Sequence, residues 1–182
     1  MRLRRANLTA NVHKCTFLLE RLQIFGHELN TRTGEITVSE RKLEVIKNLS
    51  RPLTKKKLMA FLGICTYYSN LINGYAQIAF PLTELLRKYV PQNIAPLWGP
   101  EHELAFFKLK EALISKPVLR AHDSSKPYLL QTDASRMAVA AILSQVDDDN
   151  VPYVVAYASR KLLPRESKYS TIELEALAII YA

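Results

Sequence analysis

The apolar side chains of this chain change their spacing partway along, and that change limits the folds open to it. After Thr54, the residues Leu58, Phe61, Leu62, Cys65, Tyr68 and Ile72 recur at helical intervals. A second stripe of Ala105, Phe106, Leu109, Ala112 and Leu113 predicts a helix from Glu101 to about Ile114. From Lys126 the pattern turns extended. Tyr128 to Asp133, Ala138 to Gln145 and Val151 to Ser159 read as a three-stranded antiparallel meander, with a polar turn at Asp147-Asp148-Asp149-Asn150. Helices followed by a meander and one more helix define an α+β class. A chain of 182 residues with 48% hydrophobic content can bury a core for such a fold.

Shorter signals fill in the rest. Cys15 to Leu19, Leu22 to Phe25 and Ile36 to Val38 read as extended pieces, joined by Gly26-His27 and a polar turn over Asn30 to Gly34, which suggests a hairpin. Ser39 can cap a helix through Leu43, Ile46 and Leu49 that stops before Pro52, because a residue preceding proline is pushed out of the helical region. Thr54 is the next cap. Pro81 suits the first turn of a short helix through Leu82, Leu85 and Leu86, and Pro91 to Pro96 reads as a linker. Trp98 serves as a packing anchor for the helix that Pro117 ends.

Two acids stand out in the second half. Asp133 closes the first strand of the meander, and Glu175 lies in Leu174 to Ala182, a helical stretch otherwise apolar all round. The neighbouring Glu173 belongs to a capping box with Ser170, which leaves Glu175 without a structural role. Read as buried, its carboxylate needs a partner: a metal ion shared with Asp133, or an arginine such as Arg160 or Arg165.

Charge points to the other end of the chain. Residues 1–60 carry 13 Lys and Arg against 5 Asp and Glu, whereas residues 61–182 carry 12 of each. A polyanion would therefore lie against the first third, and a nucleic-acid backbone is the polyanion expected in a reducing compartment. Lys55, Lys56 and Lys57 fill the first turn of a helix, where cations oppose the macrodipole, and a phosphate backbone there would reverse that sign. Solvated lysines screened by salt are the plainer account. Two thiols, Cys15 and Cys65, fit free cysteines inside a reducing cell compartment, cytoplasmic or nuclear, better than a disulfide scaffold. The longest apolar runs fall far short of the roughly 20 residues of a membrane span, and the basic start, Met1 to Arg5, is followed by no apolar core of a secretory signal. His13, His102 and His122 show no zinc-ligand spacing with the cysteines.

Taken in order, several blocks resemble the polymerase polyprotein of gypsy-class long-terminal-repeat retrotransposons. Lys14-Cys15-Thr16-Phe17 and Ile24-Phe25-Gly26-His27 are similar to the end of a reverse-transcriptase palm, giving residues 1–38. Phe61-Leu62-Gly63, Tyr67-Tyr68 and Ile78 to Leu82 resemble the thumb, giving residues 39–97. Trp98 to Leu119, Thr132-Asp133-Ala134-Ser135, Ile142 to Gln145, Tyr157 to Leu162 and Tyr169 to Glu173 resemble the connector and the start of ribonuclease H, giving residues 98–182.

The resemblance implies a helical thumb-like segment followed by a truncated ribonuclease H-like mixed sheet with a helix. It also implies contact with an RNA–DNA hybrid or template–primer duplex, through the hairpin at Gly26 and His27 and through Lys55, Lys56 and Lys57. Asp133 and Glu175 would be the first two of four carboxylates that hold two Mg²⁺ ions and cleave the RNA strand; clustered oxygen ligands suit that hard cation. The other two carboxylates have no counterpart in the chain. Ala138 and Ala140 stand where the family has glycines, and their methyl groups are expected to crowd the Asp133 strand. The paired polymerase aspartates are absent, and Gln145-Val146-Asp147-Asp148 imitates them only superficially, inside a turn. His27 is equally well a packed residue of the turn. The expectation is a polyprotein fragment that is inactive alone, set against a non-catalytic nucleic-acid-binding remnant and an inert relic.

Overall fold

The computed structural model describes residues 5–9, 11, 13, 15–115 and 118–182. Lys14, Lys116, Pro117 and the basic Arg2 and Arg4 lie outside them.

The first sheet is built from β1 (Arg21–Ile24), β2 (His27–Asn30), β3 (Glu35–Val38) and the two-residue β4 (Leu119–Arg120), in that order and antiparallel throughout. β1 and β2 are joined by two residues only. Phe25 and Gly26 both have positive φ, 49° and 85°, the combination that a type I′ turn requires. Cys15 to Leu19, read as extended from sequence, forms no strand.

Helix α1 (Glu40–Lys47) follows Ser39, α2 (Lys55–Tyr67) follows Thr54, and α3 (Tyr75–Glu84) follows Gly74. The Thr54 hydroxyl accepts from the Lys57 N–H at 3.4 Å, as its position suggests. Ser39 does not cap with its side chain; its own N–H donates to the Gly26 carbonyl at 2.9 Å and ties α1 to the hairpin. Pro81 lies inside α3 rather than in its first turn, because left-handed Gly74 (φ 64°) starts that helix well upstream. The stretch from Pro91 to Pro96 is not a free linker. Ile94 is fully buried, its N–H donates to the Leu53 carbonyl at 3.1 Å, and the Lys55 N–H donates to the Gln92 carbonyl at 3.0 Å.

Helix α4 (Pro100–Ile114) carries the expected stripe, with Ala105, Phe106, Leu109 and Leu113 buried. Trp98 meets Phe106 edge-on at 6.1 Å, and its Nε1–H donates to Glu103 at 2.6 Å. The second sheet is the antiparallel meander of β5 (Leu129–Ala134), β6 (Ala138–Val146) and β7 (Pro152–Lys161), in the order β5-β6-β7. Helix α5 (Thr171–Tyr181) closes the chain behind the Ser170–Glu173 capping box.

The meander separates two packing regions. One face takes α3, where Val154 and Tyr157 of β7 join the large helical core around Leu58, Phe61, Leu82 and Leu109. The other face takes α5, over a small cluster of Val139, Leu162, Leu174 and Ala178.

Candidate acidic strand and nucleic-acid interface

The pairing register decides what Asp133 and Glu175 can do together. Asp133 pairs with Ala140, and Ala140 with Ser159, so these three share the face that α3 covers at β7. Ala134 pairs with Val139, and both pack in the α5 cluster beside Leu174 and Ala178. The fold thus brings strand β5 and helix α5 together, with Asp133 on the alternate face of its strand from Ala134, which packs in the α5 cluster.

Glu175 is exposed, which corrects its reading as a buried carboxylate. The helix is apolar all round in sequence, yet it uses one face only: Leu174 and Ala178 are buried while Ile172 and Ile180 are 81% and 83% exposed. Neither suggested arginine reaches Glu175. Arg160 instead makes a two-pronged bond to Glu166, at 2.6 and 3.0 Å, and its guanidinium lies 5.3 Å from the centre of the Tyr181 ring. Glu166 is buried and also accepts from the Leu163 N–H at 2.8 Å; the guanidinium foremost, then this amide, hold its carboxyl below the usual range. Among the described residues no three His, Cys, Asp or Glu side chains gather into a set that could hold a metal ion. Burial pushes the Cys65 thiol up to about 12, which makes it a packing residue.

Ala138 and Ala140 fit their strand without breaking it. Ala138 is buried opposite Lys161, and the ladder from Asp133 through Ala140 to Ser159 is continuous. The Asp147 to Asn150 segment is a turn, as its sequence suggests, with Asn150 at φ 61° and the Asp147 carboxylate accepting from the N–H groups of Asp149 and Val151.

At the opposite end, the β1–β2 turn is held against α2 by two phenols. Tyr67 donates to the Phe25 carbonyl at 2.5 Å, and Tyr68 to the Gly26 carbonyl at 3.0 Å. A Cβ on Gly26 would stand 2.6 Å from the Tyr68 hydroxyl, so glycine is needed here for space as well as for its φ. His27 rests on the same two rings, 5.5 Å from Tyr67 and 5.1 Å from Tyr68, and burial lowers its pKa despite a backbone bond near Phe25. It is a neutral packing residue near pH 7. Beside the turn, Phe25, Lys42, Val45, Ala60, Gly63 and Tyr67 line an apolar hollow of about 370 Å³. The adjacent tyrosines were the available sequence signal, but their partners lie 42 residues away.

The three lysines divide. Lys55 is buried and its ammonium donates to the Arg87 carbonyl at 2.6 Å, so it is a structural peg and leaves the set that could meet a phosphate. Lys56 and Lys57 are exposed.

The fold is α+β with a ribonuclease H-like meander. Residues 98–182 match the family described as the RNase H-like domain found in reverse transcriptase. The Tf2-3 and Tf2-4 transposon polyproteins of Schizosaccharomyces pombe are each 36% identical to this chain over 179 residues, 98% of its length, and the chain spans 13% of theirs. A foamy viral protease–reverse transcriptase solved with double-stranded DNA superposes on 90% of the chain with a TM-score of 0.74 and 22% identity, the match covering 33% of that protein. The foamy viral enzyme solved with an RNA/DNA hybrid superposes on 93% of the chain with the same score and identity, over 22% of its own length. Residues 98–182 are thus similar to the RNase H-like domain of reverse transcriptases, and the chain as a whole is similar to one stretch of the Tf2 polyproteins.

Proposed function

We propose that this chain is the junction of a gypsy-class polyprotein, with residues 1–38 the end of the palm, 39–97 the thumb, and 98–182 the connector and the start of ribonuclease H. Its own contribution is to hold a template–primer duplex or RNA–DNA hybrid. One observation carries this reading: the Phe25-Gly26 turn is locked by Tyr67 and Tyr68 onto the helix whose first turn exposes Lys56 and Lys57. An apolar edge at one end of α2 and exposed cations in the first turn at its other end, about 15 Å away along the helix, suit an extended duplex, since cations neutralise phosphates and an apolar edge meets sugars and bases. The foamy viral relatives in fold were solved on such duplexes.

The described residues do not fit a complete magnesium site. Asp133 and Glu175 stand on elements that touch, and among the described residues no three potential ligands gather into a set that could hold a metal ion. RNA cleavage belongs, on this reading, to the longer polyprotein, in which further acids would join Asp133 and Glu175. The isolated chain should show no Mg²⁺-dependent cleavage of RNA in a hybrid; cleavage abolished by Asp133→Asn would overturn this. Fluorescence anisotropy with a labelled hybrid tests the binding. Replacing Lys56 and Lys57 together by Ala should flatten the plot of log affinity against log salt by about one for each phosphate no longer neutralised. An unchanged slope would remove the proposed interface.

A further inference from the structure

Helix α3 has no capping side chain of its own, since its N-cap residue is Gly74. The Ser159 hydroxyl, reaching across from β7, accepts from the Ala76 N–H at 3.0 Å. It does from another element what a serine at the N-cap does from within the helix. The other end of α3 is held from the same strand. Glu84, its last residue, takes the Lys161 ammonium on one oxygen and Arg87 on the other at 2.7 Å, while Lys161 lies 4.3 Å from the centre of the Phe80 ring. Partial burial raises the Glu84 pKa, but the bonds from Lys161 and Arg87 outweigh it and keep the carboxyl ionised.

The geometry of this grip matters more than its strength. Ala76 and Glu84 are about 12 Å apart along a helix, whereas Ser159 and Lys161 are about 7 Å apart along a strand, and the long lysine arm bridges the difference. One anchor would leave the angle of α3 on the sheet to the apolar packing of Val154 and Tyr157. Two anchors, with Tyr157 packed nearby, stop rotation as well as sliding. Asp133 lies on this same face, two strands from Ser159 through Ala140.

We propose that Ser159 and Lys161 are positioning residues that register the Asp133 face of the meander against α3, so that the sheet and the helical segment keep one separation. The registry stands on these interactions alone; its use, holding the acidic strand at a fixed distance from a bound duplex, rests on the function proposed above.

Pulsed electron resonance between nitroxides at Met59→Cys in α2 and Arg136→Cys in the β5–β6 loop tests the registry, in full-length chain carrying Cys15→Ser. The expected result is a single narrow distance peak, unmoved by an RNA–DNA hybrid. Ser159→Ala combined with Lys161→Met should lose that single peak, and Ser159→Thr, which keeps the hydroxyl, should retain it. Amide exchange of Leu58 and Leu62 reports whether the helical core has stayed folded. If that protection is lost in the double variant, Ser159→Ala alone decides: a broadened peak supports the registry and an unmoved one overturns it. A broad peak with both residues intact, or a narrow one in a folded double variant, also overturns it. Failure of duplex binding in the salt titration leaves these distances untouched, so the two ideas fail separately.

Discussion

The helical segment and the α5 side of the meander are stabilised by different means. The first buries Leu43, Ile46, Leu58, Phe61, Leu71, Ile72, Leu82, Leu109 and Leu113 in one continuous core. The second buries Val139, Leu162, Leu174 and Ala178, and leaves the outer face of α5 and the apolar side chains of edge strand β5 in water. What the second region lacks in apolar packing it replaces with polar clamps, the Arg160–Glu166 pair and the fully buried Gln145. The amide of Gln145 donates to the Asp123 and Lys126 carbonyls at 2.7 and 3.0 Å, while its oxygen accepts from the Asp123 N–H at 2.8 Å and the Tyr153 hydroxyl at 3.1 Å. Large apolar cores tolerate changes of pH and salt, whereas clamps register both.

Four measurements put that contrast at risk. Leu58→Ala and Leu109→Ala, at fully buried sites, should each cost about 2–5 kcal/mol in urea unfolding, and Leu174→Ala should sit at about 2 kcal/mol because its thin surroundings can collapse. Equal costs for Leu109 and Leu174 would erase the distinction. Gln145→Leu should cost about 1–3 kcal/mol by leaving the Asp123 and Lys126 backbone groups unpaired, and amide exchange should locate the loss in the loop before β5. The Arg160–Glu166 clamp should fail in acid. Glu166 has a folded pKa below its ordinary 4.5, so its stabilisation is full above that value and lost as pH falls through the folded one. Exchange in α5 should therefore rise below pH 4.5 before exchange in α2 does, and Glu166→Gln should remove that acid limb. The smallest effect belongs to Ile180→Ser, within about 0.5 kcal/mol, since this side chain is 83% exposed.

Features decided within a few residues were legible in the sequence. The Thr54 cap, the α4 stripe, the Ser170–Glu173 box, the Trp98 anchor and the three strands of the meander all stand where local spacing put them. Features decided by distant partners were not. Nothing near Lys55 announces that its ammonium would be spent on a carbonyl 32 residues away, and nothing near Gly74 announces a cap supplied by Ser159. Glu175 resists a sequence reading for a related reason. An all-apolar helix implies burial only if something covers every side of it, and here one side alone is covered. The acidic site was legible as two candidate residues and two touching elements, but strand parity, which puts Asp133 on the alternate face from Ala134, follows only from the observed register.

Lys55 also makes the chain its own folding gauge. An amine-acylating reagent should mark the neighbouring Lys56 and Lys57 within the native state, yet Lys55, plugged into the Arg87 carbonyl and hidden from solvent, must wait until α2 opens. Three consecutive lysines of identical chemistry would then report, in one mass spectrum, both how much protein is present and how often it comes apart.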